Sequence, residues 1–561
     1  MIYPQRYTSL GELLWDALIQ YKSEVAHIEM RRKKESERHT YLEFKQQVVR
    51  TVHGLKDRGI GPGDRVAIIL PNQRKWLQVA TAVFLCGGIV VPLDYKLTAK
   101  EQQDLLAHAE PKVLVIEYGL MKKGTSWPVN YIIATDAPAK VDPENWTPWE
   151  HFLREGPPIT PVPRDREDVA TIVYSSGTGG TPKGCMLPHR AYLEQYRSLS
   201  DLFPMEPGDR YFSILPTNHA IDFMIGFIAP FSCGATVVHQ RTLRPEFITH
   251  SMKHCEITHI AVVPMLLESF ETALRDKLDA LPDWKKTAVD GLSGLNNYLT
   301  RKTPNQPLSR RLLKPIHEAF GGRLKMLFCG GAFVDPDRAD FFYRLGLPVV
   351  IGYGLTEACT VVTANDLKPF RSDTVGRAVD GTRIRIAQPN TTGIGEVQIH
   401  GDTIMLGYYK APELTKNALK DGWLHTGDLG WIDASGHLHL VGRTKNMIVT
   451  SGGKNIYPED IEHAFESIPN EELVVFAQNY IWPQNEWVEE QLIAVIRPHQ
   501  NANTWKQQLK EHNYRLPEFK RIGGFIEWTE EFPRTASLKI KRQQLAEEIR
   551  ENGTVENVCP L

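Results

Sequence analysis

A short glycine-rich segment contains the residue types that could bind a phosphate chain. Residues 173–189 read VYSSGTGGTPKGCMLPH and follow the apolar run 169–174. Glycine permits positive φ and lets backbone N–H groups approach a ligand, and successive N–H groups form a concave anion site. Serine and threonine add hydroxyl donors, and Lys183 adds a mobile positive charge. The segment therefore predicts a polyphosphate-binding loop, with a flexible surface loop as the alternative.

The composition is that of an ordinary soluble protein with more than one domain. The chain has 561 residues, 42% hydrophobic and 24% charged, which is too long for a single core. A formal net charge of −2 gives no bulk attraction to nucleic acid or anionic membrane. The seven cysteines are scattered, which favours a reduced compartment over a disulfide framework or zinc site. Because no signal pattern is present and the longest apolar run, 82–93, is too short to span a bilayer, we expect a cytoplasmic protein.

Alternating strands and helices must position the glycine-rich segment. Residues 63–93 predict a strand, a helix and a second strand, since a continuous apolar run is followed by apolar side chains at helical spacing. Similar strand patterns recur at 169–174, 235–239, 259–263, 324–328 and 348–351. The pattern predicts an α/β fold with largely parallel sheet, and a more antiparallel lobe from about residue 380. Residues 275–320 are charged and helical in pattern, which predicts a solvated helical excursion.

Six segments, in order along the chain, resemble the motifs of the adenylate-forming superfamily, which includes acyl-CoA synthetases, luciferases and peptide-synthetase adenylation domains. They are SSGTGGTPKG (175–184), GYGLTEA (352–358), GEVQIHGDTIMLGYY (395–409), GWLHTGDLGWID (422–433), GRTKNMIVTSGGKNIYPEDIE (442–462) and PRTASLKIKR (533–542). The resemblance is closest to medium- to long-chain fatty acyl-CoA synthetases. It implies an α/β fold in which residues 1–442 form a large N-terminal domain with mixed, largely parallel sheets. Residues 443–561 would form a smaller, mobile α+β C-terminal domain.

The resemblance also implies which residues bind the nucleotide. The phosphate-binding residues would be Ser175, Ser176, Gly177, Thr178, Gly179 and Lys183. The adenine would contact Tyr353, Gly354 and the turn Gly330, Gly331 and Ala332. Asp428, assisted by Arg443, would accept the ribose hydroxyls. Without the family pattern, we would expect Tyr353 to be a core residue and Asp428 to be a solvated surface residue.

The chemistry of the family explains two further residues. When a carboxylate attacks the α-phosphorus of ATP, negative charge accumulates on phosphate oxygens, so catalysis is mainly positioning and electrostatic stabilisation. Glu357 is the hard oxygen ligand expected for Mg²⁺, and Thr356 can donate to the α-phosphate. Residues 356–362 are also compatible with a simple helix cap.

The C-terminal motifs imply a catalytic lysine on a moving domain. The spacing of residues 533–540 selects Lys539 as the group that bridges carboxylate and α-phosphate, although a basic run is usually a solvated surface. Lys445 matches the hinge between the domains. Rotation there would withdraw Lys539 and bring Gly452 and Gly453 to the site, where the absence of side chains leaves a channel for the pantetheine of CoA.

The acid is indicated by residues 215–238, which resemble the acyl-pocket block of fatty acyl members. His219 occupies the position of a gating residue, and residues 223–227 would supply an apolar wall. Asp222 is the one candidate for binding an amino-acid substrate. Because a mostly apolar pocket suits an apolar tail, we expect a fatty or aryl acid.

These observations predict an AMP-forming ligase of fatty acid metabolism that uses ATP, Mg²⁺ and CoA to convert a medium- to long-chain fatty acid to its CoA thioester. The alternatives are a ligase that loads a separate acyl carrier protein, an aryl-acid CoA ligase, and a non-enzymatic nucleotide-binding paralogue. A luciferase-like oxidation would use the same first step. No nucleic-acid partner and no transmembrane segment are expected, and peripheral membrane contact stays open.

Overall fold

The computed structural model describes residues 2–121, 126–143, 145–175, 183–449, 455–466, 468, 470–482, 491–498, 505–534 and 540–561. The chain divides into two compact units. The first comprises Met1–Ile384 and Ile399–Leu424, and the second Arg385–Gln398 and His425–Leu561. The domain boundary predicted at residue 442 stays a prediction.

The strands are short, and many are rich in β-branched residues. They are β1 (Val25–Arg31), β2 (Lys34–Thr40), β3 (Arg65–Ile69), β4 (Ile89–Pro92), β5 (Val113–Glu117), β6 (Tyr131–Thr135), β7 (Thr147–Pro148), β8 (Val169–Ser175), β9 (Lys183–Pro188), β10 (Arg210–Ser213), β11 (Thr236–Gln240), β12 (His259–Val262), β13 (Met326–Gly330), β14 (Val349–Tyr353), β15 (Thr363–Ala364), β16 (Arg377–Ala378), β17 (Thr382–Ala387), β18 (Gly395–Gly401), β19 (Gly407–Tyr408), β20 (Leu419–Lys420), β21 (Trp423–Ile432), β22 (Leu438–Arg443), β23 (Ile448–Val449), β24 (Asn455–Ile456), β25 (Asn470–Ala477), β26 (Leu492–Pro498), β27 (Gly524–Glu527) and β28 (Cys559–Pro560).

The helices alternate with these strands over most of the first unit. They are α1 (Leu10–Gln20), α2 (Tyr41–Lys56), α3 (Arg74–Leu85), α4 (Ala99–Ala109), α5 (Trp149–Phe152), α6 (His189–Leu202), α7 (Ala229–Cys233), α8 (Pro245–His254), α9 (Pro264–Asp279), α10 (Asp283–Thr300), α11 (Gln306–Leu312), α12 (Lys314–Ala319), α13 (Pro336–Arg344), α14 (Pro412–Ala418), α15 (Pro458–Ala464), α16 (Gln478–Ile481), α17 (Trp505–Arg515) and α18 (Arg542–Asn552). A π-helix, Asp222–Ile228, precedes α7.

Two large sheets dominate the first unit. One has the order β19-β9-β8-β4-β3-β5-β6-β7, and the other has the order β16-β15-β14-β13-β12-β10-β11-β1-β2. Strands β8, β4, β3, β5, β6 and β7 run parallel in the first sheet, and β14, β13, β12, β10, β11 and β1 run parallel in the second. The pairs at the edges are antiparallel. The predicted α/β class with mixed, largely parallel sheets is confirmed.

Helices form the layer between the two sheets. Helix α2 contacts β1 and β2 of one sheet and also contacts α3, which contacts β3 and β4 of the other. Ten consecutive residues of α3, from Trp76 to Leu85, are buried. Helix α2 begins at a capping box in which Thr40 and Glu43 satisfy each other's backbone N–H groups. Helices α2 and α3 thus connect the two sheets of the first unit by direct packing.

The second unit has smaller, mainly antiparallel sheets. A four-stranded sheet has the order β25-β26-β27-β28, in which only β26 and β27 are parallel. Strands β23 and β24 form an antiparallel pair. A five-stranded sheet has the order β17-β18-β21-β20, with β22 paired to β21, and the chain passes from one unit to the other within it. The more antiparallel C-terminal lobe is confirmed.

Among the described residues, none of the helices combines the length and the apolar character that crossing a bilayer requires. The predicted helical excursion corresponds to α9–α12. It is helical as expected, but one of its exposed faces is apolar, as described below.

Candidate active site

The glycine-rich segment joins two antiparallel strands. Strand β8 ends at Ser175, β9 begins at Lys183, and these two residues are register partners. The predicted phosphate-binding residues between them, Ser176, Gly177, Thr178 and Gly179, lie outside the described residues. The structure thus places the two described residues of the predicted loop side by side, at the carboxyl end of β8.

A carboxylate from a distant part of the chain meets this strand end. Glu357 lies in the 3₁₀ turn Thr356–Ala358, which follows β14. Its Oε1 accepts hydrogen bonds from Ser175 Oγ at 3.2 Å and from the hydroxyl of Tyr408 at 3.0 Å. The Nζ of Lys183 lies 5.2 Å from the centre of the Tyr408 ring, within range of a cation–π interaction. We call Ser175, Lys183, Glu357 and Tyr408 the Glu357 cluster.

Tyr408 is the member of the Glu357 cluster that was not predicted. It lies in β19, which pairs antiparallel with β9 so that Tyr408 is opposite Cys185. Burial, together with the charge of Glu357, raises the pKa of Tyr408, so its phenol stays protonated and donates. In the sequence, Tyr408 is indicated only by its position in the GYY triplet 407–409, at the end of the family segment 395–409.

Backbone bonds keep the same segment in place. The N–H of Met405 donates to the carbonyl of Glu357 at 2.9 Å, and the N–H of Tyr409 donates to the carbonyl of Gly184 at 2.7 Å. The strand containing Tyr408 is thus attached both to the turn of Glu357 and to the residue after Lys183. These bonds preorganise the Glu357 cluster.

Glycines bring strands β13 and β14 close together where the adenine is predicted to bind. Gly330 is opposite Gly352, and a Cβ on Gly330 would lie 2.7 Å from the carbonyl oxygen of Gly352. Gly331 has φ +88°, a conformation that favours glycine. A Cβ on Gly354 would lie 1.4 Å from the carbonyl oxygen of Thr360, so no side chain fits there.

The nucleotide residues predicted at the ends of β13 and β14 share one edge of the nine-stranded sheet. Gly331 and Ala332 follow β13, whereas Gly354 and Thr356 follow its parallel neighbour β14. Tyr353 is buried at the end of β14. The carboxyl ends of parallel strands are where α/β sheets bind ligands.

His219 lies at the same edge but farther along it. It belongs to the loop after β10, and three strand spacings in the order β14-β13-β12-β10 correspond to about 14 Å. Its Nε2 lies 3.9 Å from Oδ2 of the buried Asp94. The loop of His219 after β10 and the nucleotide residues predicted after β13 and β14 thus follow different strands of the same sheet.

Asp222 is enclosed within the protein. Its carboxylate accepts hydrogen bonds from Ser213 at 2.7 Å, Thr217 at 2.9 Å and the hydroxyl of Tyr211 at 3.3 Å, and its side chain is fully buried. Burial raises the pKa of Asp222 to about 7, although these hydrogen bonds oppose the shift. We call these four residues the Asp222 network. Its closure favours a structural role over the binding of an amino-acid substrate.

Asn72 braces the same loop from the other sheet. Its Nδ2 donates to Ser213 Oγ at 3.0 Å and to the carbonyl of Leu215 at 2.6 Å, and its Oδ1 accepts from the N–H of Thr217 at 2.9 Å. Together with the Asp222 network, these bonds hold the loop that ends at His219. The asparagine follows β3 in the segment PNQRK, and its role was not predicted.

Part of the predicted acyl wall belongs to the core. Phe223 packs edge to face against Trp76 at 5.6 Å and against Phe227 at 5.7 Å between ring centres. Phe223 is 1% exposed and Phe227 is fully buried. The prediction that these two rings line a pocket is wrong, because they fill the helix layer between the sheets.

In the second unit, Asp428 and Arg443 are brought together as predicted. They are opposite each other in the antiparallel pair β21–β22, and Arg443 Nε lies 2.8 Å from Asp428 Oδ1. Asp428 is buried. Lys445 lies exposed in the turn after β22, and Gly452, Gly453 and Lys539 lie outside the described residues.

The residues present suit a magnesium ion that accompanies a nucleotide. The described residues contain no group of three or more His, Cys, Asp or Glu that could hold a metal by themselves. Mg²⁺ is commonly bound by one or two carboxylates together with substrate phosphates and water. Glu357, beside Ser175 and Lys183, provides such a single carboxylate next to the predicted phosphate loop.

Known proteins are similar to most of this chain in sequence. Feruloyl-CoA synthase of an Amycolatopsis species is 27% identical over 514 residues, covering 90% of this chain and 93% of that protein. The long-chain-fatty-acid–CoA ligase FadD15 of Mycobacterium bovis is 27% identical over 463 residues, covering 77% and 73%.

Solved structures share the fold. The o-succinylbenzoate CoA synthetase of Bacillus subtilis in complex with the acyl-adenylate intermediate superposes with a TM-score of 0.75 at 21% identity, covering 95% of this chain and 97% of that one. The same enzyme with ATP and a magnesium ion gives 0.73 at 22% identity, covering 95% and 99%. The AMP-binding enzyme family matches residues 15–409, more than half of the chain. The chain therefore belongs to the AMP-binding enzyme family.

Proposed function

We propose that this protein is an AMP-forming ligase that activates a medium- to long-chain fatty acid with ATP and transfers the acyl group to CoA. The observation on which the proposal depends is the Glu357 cluster, in which a carboxylate, a lysine and two hydroxyl groups converge beside the glycine-rich segment. This set combines an oxygen ligand for a cation with donors for phosphate oxygens.

In the first step a carboxylate oxygen of the acid forms a bond to the α-phosphorus of ATP. The bond from that phosphorus to the bridging oxygen breaks, and pyrophosphate leaves with the electron pair. Lys183 and Ser175 stabilise the negative charge on the phosphate oxygens, and Thr356 donates to the α-phosphate. Glu357 would hold Mg²⁺, which would supply further positive charge beside the phosphate oxygens.

The remaining assignments concern the second unit and the second step. Asp428, in its ion pair with Arg443, accepts the ribose hydroxyls. Lys539 bridges the acid and the α-phosphate, and movement about Lys445 replaces it with Gly452 and Gly453, where the pantetheine arm enters. The sulfur of CoA then forms a bond to the acyl carbon and the thiol proton passes to solvent. The bond from that carbon to the phosphate oxygen breaks, and AMP leaves with the electron pair.

A lysine variant tests whether Lys539 acts in the first step and not in the second. We expect Lys539→Ala to abolish acid-dependent exchange of pyrophosphate into ATP, while thioester formation from supplied acyl-adenylate continues. Lys541→Ala, two residues away in the same basic segment, is the matched control and should retain both activities. Unchanged exchange in Lys539→Ala would contradict the assignment.

An aryl acid is the second candidate substrate. The feruloyl-CoA synthase relative covers more of this chain than the long-chain fatty acid relative does. His219, which lies beside Asp94 in the loop after β10, is the residue proposed to contact the acid in either case. The apolar length of the acid distinguishes the two candidates.

A single assay separates the candidates. The protein is given ATP, Mg²⁺ and either fatty acids of increasing length or cinnamic-type aryl acids. AMP release is measured with CoA, with an acyl carrier protein and with neither acceptor. We expect release that requires CoA and increases with chain length. AMP release only with aryl acids would support the second candidate. AMP release only with an acyl carrier protein would identify that protein, rather than CoA, as the acyl acceptor. Absence of release with every acid and acceptor would contradict the proposed function.

A further inference from the structure

Helix α10, in the first unit, presents its apolar side to solvent. Trp284, Leu292, Leu295, Tyr298 and Leu299 are 70%, 37%, 45%, 79% and 51% exposed. At 100° per residue these side chains share one face of the helix. The two aromatic residues lie about 21 Å apart along it, at 1.5 Å per residue. Large apolar patches are rare on the surfaces of soluble monomers.

The opposite face of α10, which packs on the protein, is mainly polar. Its buried residues are Ser293, Asn296 and Thr300. Asn296 Nδ2 donates to the carbonyl of Arg344 at 3.1 Å, and Ser309 Oγ donates to Asn296 Oδ1 at 2.8 Å. These hydrogen bonds specify which face packs inward. The exposure of the apolar face is therefore a consequence of the fold.

Positive charge lies at the two ends of this face, where Lys286 is 3.9 Å from Asp283. Between residues 283 and 302 the chain has four cations, Lys285, Lys286, Arg301 and Lys302, against Asp283 and Asp290. The whole chain has a net charge of −2, so this local excess is not a general property of the protein. Tryptophan, tyrosine and leucine flanked by lysine and arginine are the residue types that insert into the headgroup region of anionic membranes.

We propose that α10 docks the protein on the surface of an anionic lipid membrane, with its apolar face among the headgroups. The helix would lie in the plane of the membrane rather than cross it. The inference goes beyond the proposed function and does not depend on it, because it concerns lipid binding rather than turnover.

The test is cosedimentation of the full chain with vesicles of phosphatidylcholine alone or mixed with phosphatidylglycerol. We expect binding to the mixed vesicles that weakens as salt is raised. The triple variant Leu292→Ser, Leu295→Ser, Leu299→Ser should bind at least about tenfold more weakly, since it removes apolar area from the inserted face.

A matched control has three exposed leucines changed elsewhere in the same unit. Leu202, Leu243 and Leu414 are 48%, 49% and 42% exposed, so Leu202→Ser, Leu243→Ser, Leu414→Ser removes similar apolar surface. This variant should bind vesicles as the wild type does. A third variant, with Lys285, Lys286, Arg301 and Lys302 changed to Gln, should lose about tenfold on mixed vesicles and little on neutral ones.

Three outcomes would overturn the proposal. The first is no binding of the wild type to either vesicle. The second is an equal loss in the control leucine variant. The third is a dimer in sedimentation velocity that the α10 triple variant dissociates, because a second copy would then cover this face. Circular dichroism melts establish that each variant is folded, and the charge variant provides an independent test if the triple variant is not.

Discussion

Two carboxylates in this protein each accept hydrogen bonds from hydroxyl groups, yet their surroundings differ. Glu357 is only half-buried, and its two donors, Ser175 and Tyr408, come from segments far away in the sequence. Asp222 is fully buried, and its donors come from the strand and loop directly before it. The Glu357 cluster also contains a lysine, whereas the described contacts of the Asp222 network include no cation.

The difference indicates that the Glu357 cluster serves catalysis and that the Asp222 network serves stability. A partly exposed carboxylate beside a mobile cation can exchange water for a ligand at little cost. A buried carboxylate surrounded by hydroxyls is costly to disturb, because each hydroxyl left unsatisfied loses a hydrogen bond. We therefore expect substitutions in the Glu357 cluster to change turnover, and substitutions in the Asp222 network to change stability.

The largest effect is expected from Glu357→Gln. The amide keeps an oxygen that accepts from Ser175 and Tyr408 but removes the charge, so the rate of adenylation should fall by about 10²–10³ while the melting temperature is nearly unchanged. Initial rates of pyrophosphate release and thermal melts provide the two measurements. A large loss of stability would mean that Glu357 is structural, like Asp222.

A buried histidine pair extends the comparison to pH. His27 Nε2 lies 3.0 Å from His239 Nδ1, both are fully buried, and burial lowers the pKa of His239 from 6.5 to about 3. The unfolded chain therefore binds more protons between pH 3 and 6.5, so stability is present above 6.5 and is lost as pH falls.

The histidine pair predicts a measurable slope in the free energy of unfolding as a function of pH. Each such histidine contributes up to about 1.4 kcal/mol per pH unit within its window. Urea unfolding of wild type and His239→Gln across mildly acidic pH should show a shallower dependence in the variant. Parallel curves for the two proteins would show that His239 is not buried in its neutral form.

Asp222 should give the free energy of unfolding a pH dependence opposite in sign to that of His239, and Asp222→Asn should remove it. Since burial raises the pKa of Asp222 from 3.8 to about 7, the folded state binds the extra proton and the wild type loses stability as pH rises through that range. At acidic pH the variant should lower the free energy of unfolding by about 1–3 kcal/mol, and this deficit should shrink toward neutral pH. The rate of adenylation per folded molecule should change less than in Glu357→Gln. A deficit that grows with pH would contradict the assignment.

The smallest effect is expected from Tyr408→Phe. The ring beside Lys183 stays, and only the hydroxyl that donates to Glu357 is lost, so kcat/KM should fall about three- to tenfold. Tyr409→Phe changes the neighbouring residue, whose described side-chain contacts are made by its ring, and should have no effect. Equal losses in both variants would remove the specific role of Tyr408.

Much of the fold could be predicted from local patterns, since buried parallel strands such as β3 and β4 are continuous apolar runs. Glu357 and Ser175 were identified by motif, but their direct contact depends on sheet pairing that no local pattern contains. Tyr408 was missed for the same reason, because its position depends on the register of β19 against β9.

Two predictions depended on knowing which face is buried. The apolar residues after Asp222 are compatible with either a pocket wall or a core. The aromatic packing around Phe223 shows that this ring belongs to the core. Helix α10 has a clear apolar stripe, but periodicity alone does not tell which side faces outward. The buried hydrogen bonds of Asn296 determine that orientation.

The most direct measurement of the central claim is exchange of labelled pyrophosphate into ATP without CoA, in wild type and Glu357→Gln, with Asp222→Asn as the comparison. The account predicts exchange that requires a fatty or aryl acid, falls by about 10²–10³ in Glu357→Gln and persists in folded Asp222→Asn. Exchange that is absent with every acid, or that is undiminished in Glu357→Gln, would contradict it.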